Sequence, residues 1–139
     1  MTMLHTINAN RYIGIPFAER GRSWEGCDCW GLVRLVYAEE YGIDLPSYLD
    51  EDYTTTDGPH VSSLIDHRKA DGWRPLPPGE ERAGDVVLLR VTGLPCHVGI
   101  VLRPGQMLHI MRGTNACVER YWSPLWNRRV MGIYRHAAA

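Results

Sequence analysis

The stretch Asp28-Cys29-Trp30-Gly31-Leu32-Val33-Arg34-Leu35-Val36-Tyr37 decides the fold, because its apolar residues recur at helical spacing. Cys29, Leu32, Val33, Val36 and Tyr37 fall on one side of a helix. Asp28 is suited to cap its N-terminus, Gly42 to stop it, and Pro46 forbids its continuation. Cys29 is therefore expected in the first turn of a largely buried helix. Upstream, a short helix is expected over Thr6 to Tyr12, ending near Gly14. Ile15-Pro16-Phe17 then leaves it extended, and Glu19 to Gly26 forms a polar, glycine-bearing turn. Downstream, residues 47–83 are rich in Asp, Thr, Pro and Gly. They read as an elaborated connection with one modest helical stretch near Val61, Leu64 and Ile65.

From Gly84 the texture changes to short β-type runs separated by turn signals: Asp85–Val91, His97–Leu102, Met107–Met111, Cys117–Tyr121 and Val130–Arg135. Helices first and strands afterwards, with short links between strands, predict an α+β domain built on an antiparallel sheet. The 139 residues suit one domain, 1–139, and the 45% hydrophobic, 22% charged composition is that of a folded chain rather than a disordered one.

The net charge of -1 excludes a nucleic-acid binder that relies on a large positive field. The charge is uneven. Residues 39–85 carry four basic against twelve acidic side chains, and residues 86–139 carry seven arginines against the single acid Glu119. The basic segment reads as a solvated, arginine-bearing sheet edge. No apolar run approaches the roughly 18 residues that span a bilayer. Met1-Thr2-Met3-Leu4-His5 lacks the features of a secretory signal, so synthesis in a cytoplasm is expected, without a disulfide framework.

A cysteine attacks as its thiolate, and a helix N-terminus and a neighbouring imidazolium both favour that form. Cys29 has the first and His97, at the start of a predicted strand, could supply the second. His109 on the next strand is the natural residue to orient His97. Cys27, Cys96 and Cys117 read as small inert hydrophobes, and His5, His60, His67 and His136 as partly buried polar residues. A zinc tetrad of Cys27, Cys29, His97 and His109 fits common ligand spacings poorly, and neither metal nor cofactor is expected. One geometric condition follows. A regular Pro104-Gly105 turn would pair residues whose numbers sum to 209, placing His97 and His109 on opposite faces. An odd loop or a bulge around Arg103-Pro104-Gly105-Gln106 is therefore expected.

Asp28-Cys29-Trp30-Gly31-Leu32, Ala83-Gly84-Asp85-Val86-Val87, His97-Val98-Gly99-Ile100-Val101 and Met107-Leu108-His109 resemble, in order, the signatures of the NlpC/P60 cysteine peptidases. Ile13-Gly14-Ile15-Pro16-Phe17 resembles the family's N-terminal signature. Gly21-Arg22-Ser23 and Gly42-Ile43-Asp44-Leu45-Pro46 resemble its phage and prophage tail branch. The resemblance implies a papain-like α+β fold with helices on an antiparallel sheet, and hydrolysis of peptidoglycan peptide stems, often at a D-glutamyl-diaminopimelate bond. It also implies Cys29 as nucleophile, His97 as base, His109 as orienting residue, and Asp28 on the substrate side of the site. Phe17 and Trp30 replace a tyrosine and a serine common in the family and become candidate substrate contacts. The tail branch implies a virion location with other tail-tip proteins as partners. A structural tail-tip component with little activity is the competing reading, and an acyltransferase or amidase using the same acyl-enzyme chemistry is a third.

Overall fold

The N-terminal part of the chain is held by short elements, β1 (Arg22–Ser23), β2 (Gly26–Cys27), α1 (Cys29–Val36) and α2 (Gly58–Arg68). Then follow β3 (Trp73–Leu76), β4 (Val86–Val91), β5 (Leu94–Arg103), β6 (Gln106–His109), β7 (Cys117–Arg120) and β8 (Val130–His136). The structure, a computed structural model, describes residues 6–69 and 71–138, so Met1 to His5 lie outside the described residues. β1 and β2 form a small hairpin, and the other six strands form an antiparallel sheet in the order β3-β8-β4-β5-β6-β7. This is the expected α+β architecture, with the two helices against the sheet.

α1 begins where the sequence places it. The Asp28 carboxylate accepts from the Gly31 amide at 2.8 Å, and Leu32, Val33 and Val36 are buried against Val98, Ile100 and Leu108 of the sheet. Gly31 is required by packing: a Cβ there would lie 2.0 Å from the Gly21 carbonyl oxygen. The helix widens to a π-turn over Tyr37–Tyr41 before stopping at Gly42. Alternate residues of β4 serve two cores, Val86 and Leu88 on the α1 side and Val87 and Leu89 with Trp126 and Ile133 on the other. That double burial explains the uninterrupted apolar run in β4.

Three expectations need correction. The N-terminal helix is only a single 3-10 turn over Ala9–Arg11, because the Asn8 side chain accepts from the Asn10 amide at 3.3 Å and closes the turn locally. In the connection 47–83 the helical stretch expected near Val61, Leu64 and Ile65 is present as the 11-residue α2, but the edge strand β3, whose Trp73 and Leu76 pair with His136 and Ile133, departs from the expected connection. Pro75 in β3 concealed it from a strand reading. His60 and His67 are exposed rather than partly buried, whereas His136 is half-buried as expected. Asp85 precedes β4 and forms a buried ion pair with Arg135 of β8 at 2.8 Å, so the Ala83-Gly84-Asp85 signature ties two strands together.

Candidate active site

β5 and β6 pair Ile100 with Leu108 and Val101 with Met107, but Arg103 with Gln106, so the register slips at Leu102. The slip changes the pair sum from 209 at the turn to 208 beyond it, which puts His97 and His109 on one face. The expected bulge is present. Gly99, between the two histidines in this register, keeps the space clear: a Cβ there would meet His109 Cβ at 3.3 Å and Met107 Sδ at 2.9 Å. A second irregularity, between Leu89 and Arg90, falls next to Cys96 and re-aims the strand as it enters His97.

The rings meet directly. His97 Nε2 lies 2.9 Å from His109 Nδ1, and His109 Nε2 lies 2.5 Å from Glu119 Oε2. Trp126 covers the pair, stacking on His97 at 6.0 Å and donating from Nε1 to Glu119 Oε2 at 3.3 Å. A carboxylate only accepts, so His109 carries its proton on Nε2 and presents Nδ1 as an acceptor. His97 then donates from Nε2, and its Nδ1 is left bare. That is the tautomer a general base requires. Glu119 was missed by sequence reasoning. Its signal was the alternation Cys117-Val118-Glu119, which puts Glu119 on the face of Cys117, the residue opposite His109, and is visible only once the β6–β7 register is known.

Cys29 opens α1 and lines, with His97, a cavity of 310 Å3. Burial is the dominant influence on its thiol and pushes it up to about 12, with the neighbouring Asp28 charge adding to the effect; the Val98 and Trp30 amides oppose it. Burial, then His109, holds His97 down to about 3. Burial also lowers His109, although Glu119 works against it. The resting pair is thus a neutral thiol and a neutral imidazole, not the thiolate and imidazolium expected from the helix terminus. Desolvation outweighs the Val98 and Trp30 amide contacts here.

The predicted substrate residues Phe17, Asp28 and Trp30 also line the cavity. Asp28 is buried, and its carboxylate is engaged by the Gly31 amide, Arg22 Nη1 at 2.8 Å and the Tyr53 hydroxyl. Trp30 donates from its indole to the Pro46 carbonyl at 2.8 Å, and Phe17 sits under the Arg112 guanidinium at 5.1 Å. Tyr48, Glu51 and Tyr53 of the segment 47–53 also line the cavity. Arg20 fastens this segment through the carbonyls of Leu49 at 2.6 Å and Glu51 at 2.7 Å, and Arg22 through that of Ser47. Neither arginine was singled out for this role by the sequence reading.

Among the described residues, the group of histidine, cysteine and acidic side chains close enough to share an ion is His109, Cys117 and Glu119. The tetrad Cys27, Cys29, His97 and His109 is not such a group. No helix among the described residues is long and apolar enough to cross a membrane.

The NlpC/P60 family matches residues 14–135, and the chain belongs to that family. It is 25% identical over 116 residues to the murein DD-endopeptidase MepS/murein LD-carboxypeptidase of Escherichia coli (strain K12), a match covering 84% of this chain and 53% of that protein. It is 29% identical over 130 residues to the tail tip assembly protein K of Escherichia phage N15, covering 88% and 50%. The chain thus spans about half the length of these curated relatives. A solved NLP/P60 family structure from Staphylococcus aureus subsp. aureus Mu50 superposes with a TM-score of 0.66 at 25% identity, covering 92% of this chain and 38% of that one.

Proposed function

We propose that residues 1–139 form one catalytic domain of a cysteine endopeptidase that cleaves peptide stems of peptidoglycan as part of a phage tail tip. The observation that carries the reading is the relay from Glu119 through His109 to His97, ending at the cavity that holds Cys29. In this mechanism Cys29 Sγ attacks the scissile carbonyl carbon while His97 Nδ1 takes the thiol proton. The relay stabilises the imidazolium that forms, and backbone amides near Cys29 hold the oxyanion. Collapse expels the amine, which receives its proton from His97, and water then hydrolyses the thioester by the reverse use of the same base. A neutral resting pair suits this course, because the proton moves as the carbon–sulfur bond forms.

The substrate side supports a stem still joined to glycan. The Asp28 charge is matched by Arg22 inside the protein, and Trp30 directs its N–H to Pro46, so neither offers a free anion or acceptor to an exposed L-alanine amine. The tail-tip part draws on the likeness to the phage N15 protein. Digestion of purified peptidoglycan, with the fragments identified by mass spectrometry, tests the activity and the bond. Cleavage at a D-glutamyl-diaminopimelate linkage is expected, faster on intact sacculi than on free tetrapeptide. Mass spectrometry of purified virions tests the location; absence from particles, with the protein free in host cytoplasm, would replace the tail reading by a wall-recycling one. Folded protein that leaves peptidoglycan intact yet remains in particles would favour the structural reading.

A further inference from the structure

We propose that His109 Nε2, Cys117 Sγ and Glu119 form a binding site for a thiophilic divalent cation, Zn2+ by donor chemistry, and that an ion bound there switches the hydrolase off. His109 and Cys117 are a directly opposed pair on β6 and β7, and Glu119 lies two residues further along the same face of β7. One donor atom from each lies within 4.8 Å of the others, and both Cys117 and Glu119 keep part of their surface open to solvent. In this proposal Cys117, read from its sequence context as a small inert hydrophobe, takes a ligand's role.

The donor set is one nitrogen, one thiolate sulfur and one carboxylate oxygen, a combination that selects zinc over calcium or magnesium. Tetrahedral zinc with bonds of about 2.0–2.3 Å needs its donors roughly 3.2–3.8 Å apart. The contact of His109 Nε2 with Glu119 at 2.5 Å must open by less than about 1 Å, and a fourth position stays available for water. The outer contacts are already in place. His109 Nδ1 is held by His97 at 2.9 Å, the second-nitrogen contact that metal-bound imidazoles use, and Glu119 accepts from Trp126.

Inhibition follows from proton accounting along the histidine pair. An ion on His109 Nε2 displaces the proton there, so His109 carries its proton on Nδ1 and donates it to His97 Nε2. His97 in turn carries its proton on Nδ1, the nitrogen that must be bare to accept from Cys29. Each ring keeps one proton on the wrong nitrogen, and Cys117 releases one to solvent on becoming a thiolate. No bond to Cys29 is needed. The inhibition rests on the hydrolase reading given above, whereas ion binding does not.

The experiment therefore separates binding from activity. Zn2+ alone is titrated against a chromogenic chelator, using wild-type, Cys29→Ala and Cys117→Ser proteins. Co2+ is used in parallel to show a thiolate-to-metal absorption band. Wild type and Cys29→Ala should bind one ion with that band, and Cys117→Ser should lose the band and at least tenfold in affinity. With peptidoglycan, Cys117→Ser should keep its zinc-free rate and need at least tenfold more Zn2+ for inhibition. Ring-nitrogen NMR of the wild-type protein reads the same event without a variant, since Zn2+ should move the proton of His97 from Nε2 to Nδ1. Binding lost in Cys29→Ala but retained in Cys117→Ser would place the ion on the nucleophile and overturn the proposal. A His97 tautomer unchanged at saturating Zn2+, or no binding by wild type, would overturn it equally.

Discussion

The two walls of the cleft are built by different means. On the sheet side, His97, His109 and Glu119 are placed by strand register, so a one-residue slip at Leu102 is enough to bring them together. On the helix side, Asp28, Arg22, Tyr53 and the segment 47–53 are placed by a buried ion pair and by arginine bonds to backbone carbonyls. A register is cooperative along a whole strand, whereas a strap fastened by two side chains fails where either is lost. Under the proposed mechanism the proton relay belongs to the register-built wall and the proposed substrate contacts to the wall held by side-chain bonds, with Cys29 at the start of α1 between them. Substitutions in the two walls should accordingly divide into effects on kcat and effects on stability or KM.

The largest effect expected is at the junction of the walls. Cys29→Ala should lower the rate of peptidoglycan cleavage by about 10⁴-fold or more, while Cys27→Ala, whose thiol donates to the Ser23 carbonyl at 3.1 Å, should stay within a few-fold of wild type. Equal loss in both would break the assignment of the nucleophile. Next comes the helix wall. Arg22→Leu leaves the Asp28 carboxylate buried beside Tyr53 without its cation, which should cost about 3–5 kcal/mol in urea unfolding. The Ser47 anchor goes with it, so KM should rise at temperatures where the variant is folded. An Arg22→Leu protein as stable as wild type would show that the strap stands without its ion pair.

The two walls were also unequally legible in the sequence. Periodicity placed α1 and five strands, and alternation of faces required a bulge before the histidines could meet. These are local patterns. Glu119 escaped because its meaning depends on which residue of β6 stands opposite, a fact about pairing that no single strand carries. The strap escaped for a different reason. Arg20 and Arg22 act on carbonyl oxygens at 47, 49 and 51, and any residue type supplies a carbonyl. For the Cys29 thiol, a helix N-terminus is visible in sequence, but the desolvation that raises it is a property of packing.

Two smaller effects sharpen the sheet wall. Glu119→Gln should lower kcat by about 10²-fold with KM unchanged, short of the ~10⁴-fold typical when the residue orienting the base directly is altered. A matching rise in KM would move Glu119 from the relay to substrate binding. The pH dependence of alkylation tests the resting state. With the Cys29 thiol up at about 12, iodoacetamide labelling should rise about tenfold per pH unit from pH 6 to 9. A plateau in that range would mean a preformed thiolate.

The smallest effect concerns stability in acid. His97 is held down to about 3 in the folded protein by burial and by His109, against an ordinary value of 6.5. The unfolded chain therefore binds a proton that the folded chain refuses. The sign follows: the contribution of neutral His97 is fully present above pH 6.5 and declines as pH falls from there toward 3, at no more than about 1.4 kcal/mol per pH unit. Other groups titrate in the same window, so the informative quantity is a difference between proteins. Urea unfolding of wild type and His97→Gln at pH 7, 5.5 and 4.5 should show the variant losing less stability over the acid steps, because glutamine has no proton to gain. Parallel losses in the two proteins would mean that His97 is as accessible to protons folded as unfolded, and the sheet wall would then be wetter than its packing under Trp126 implies.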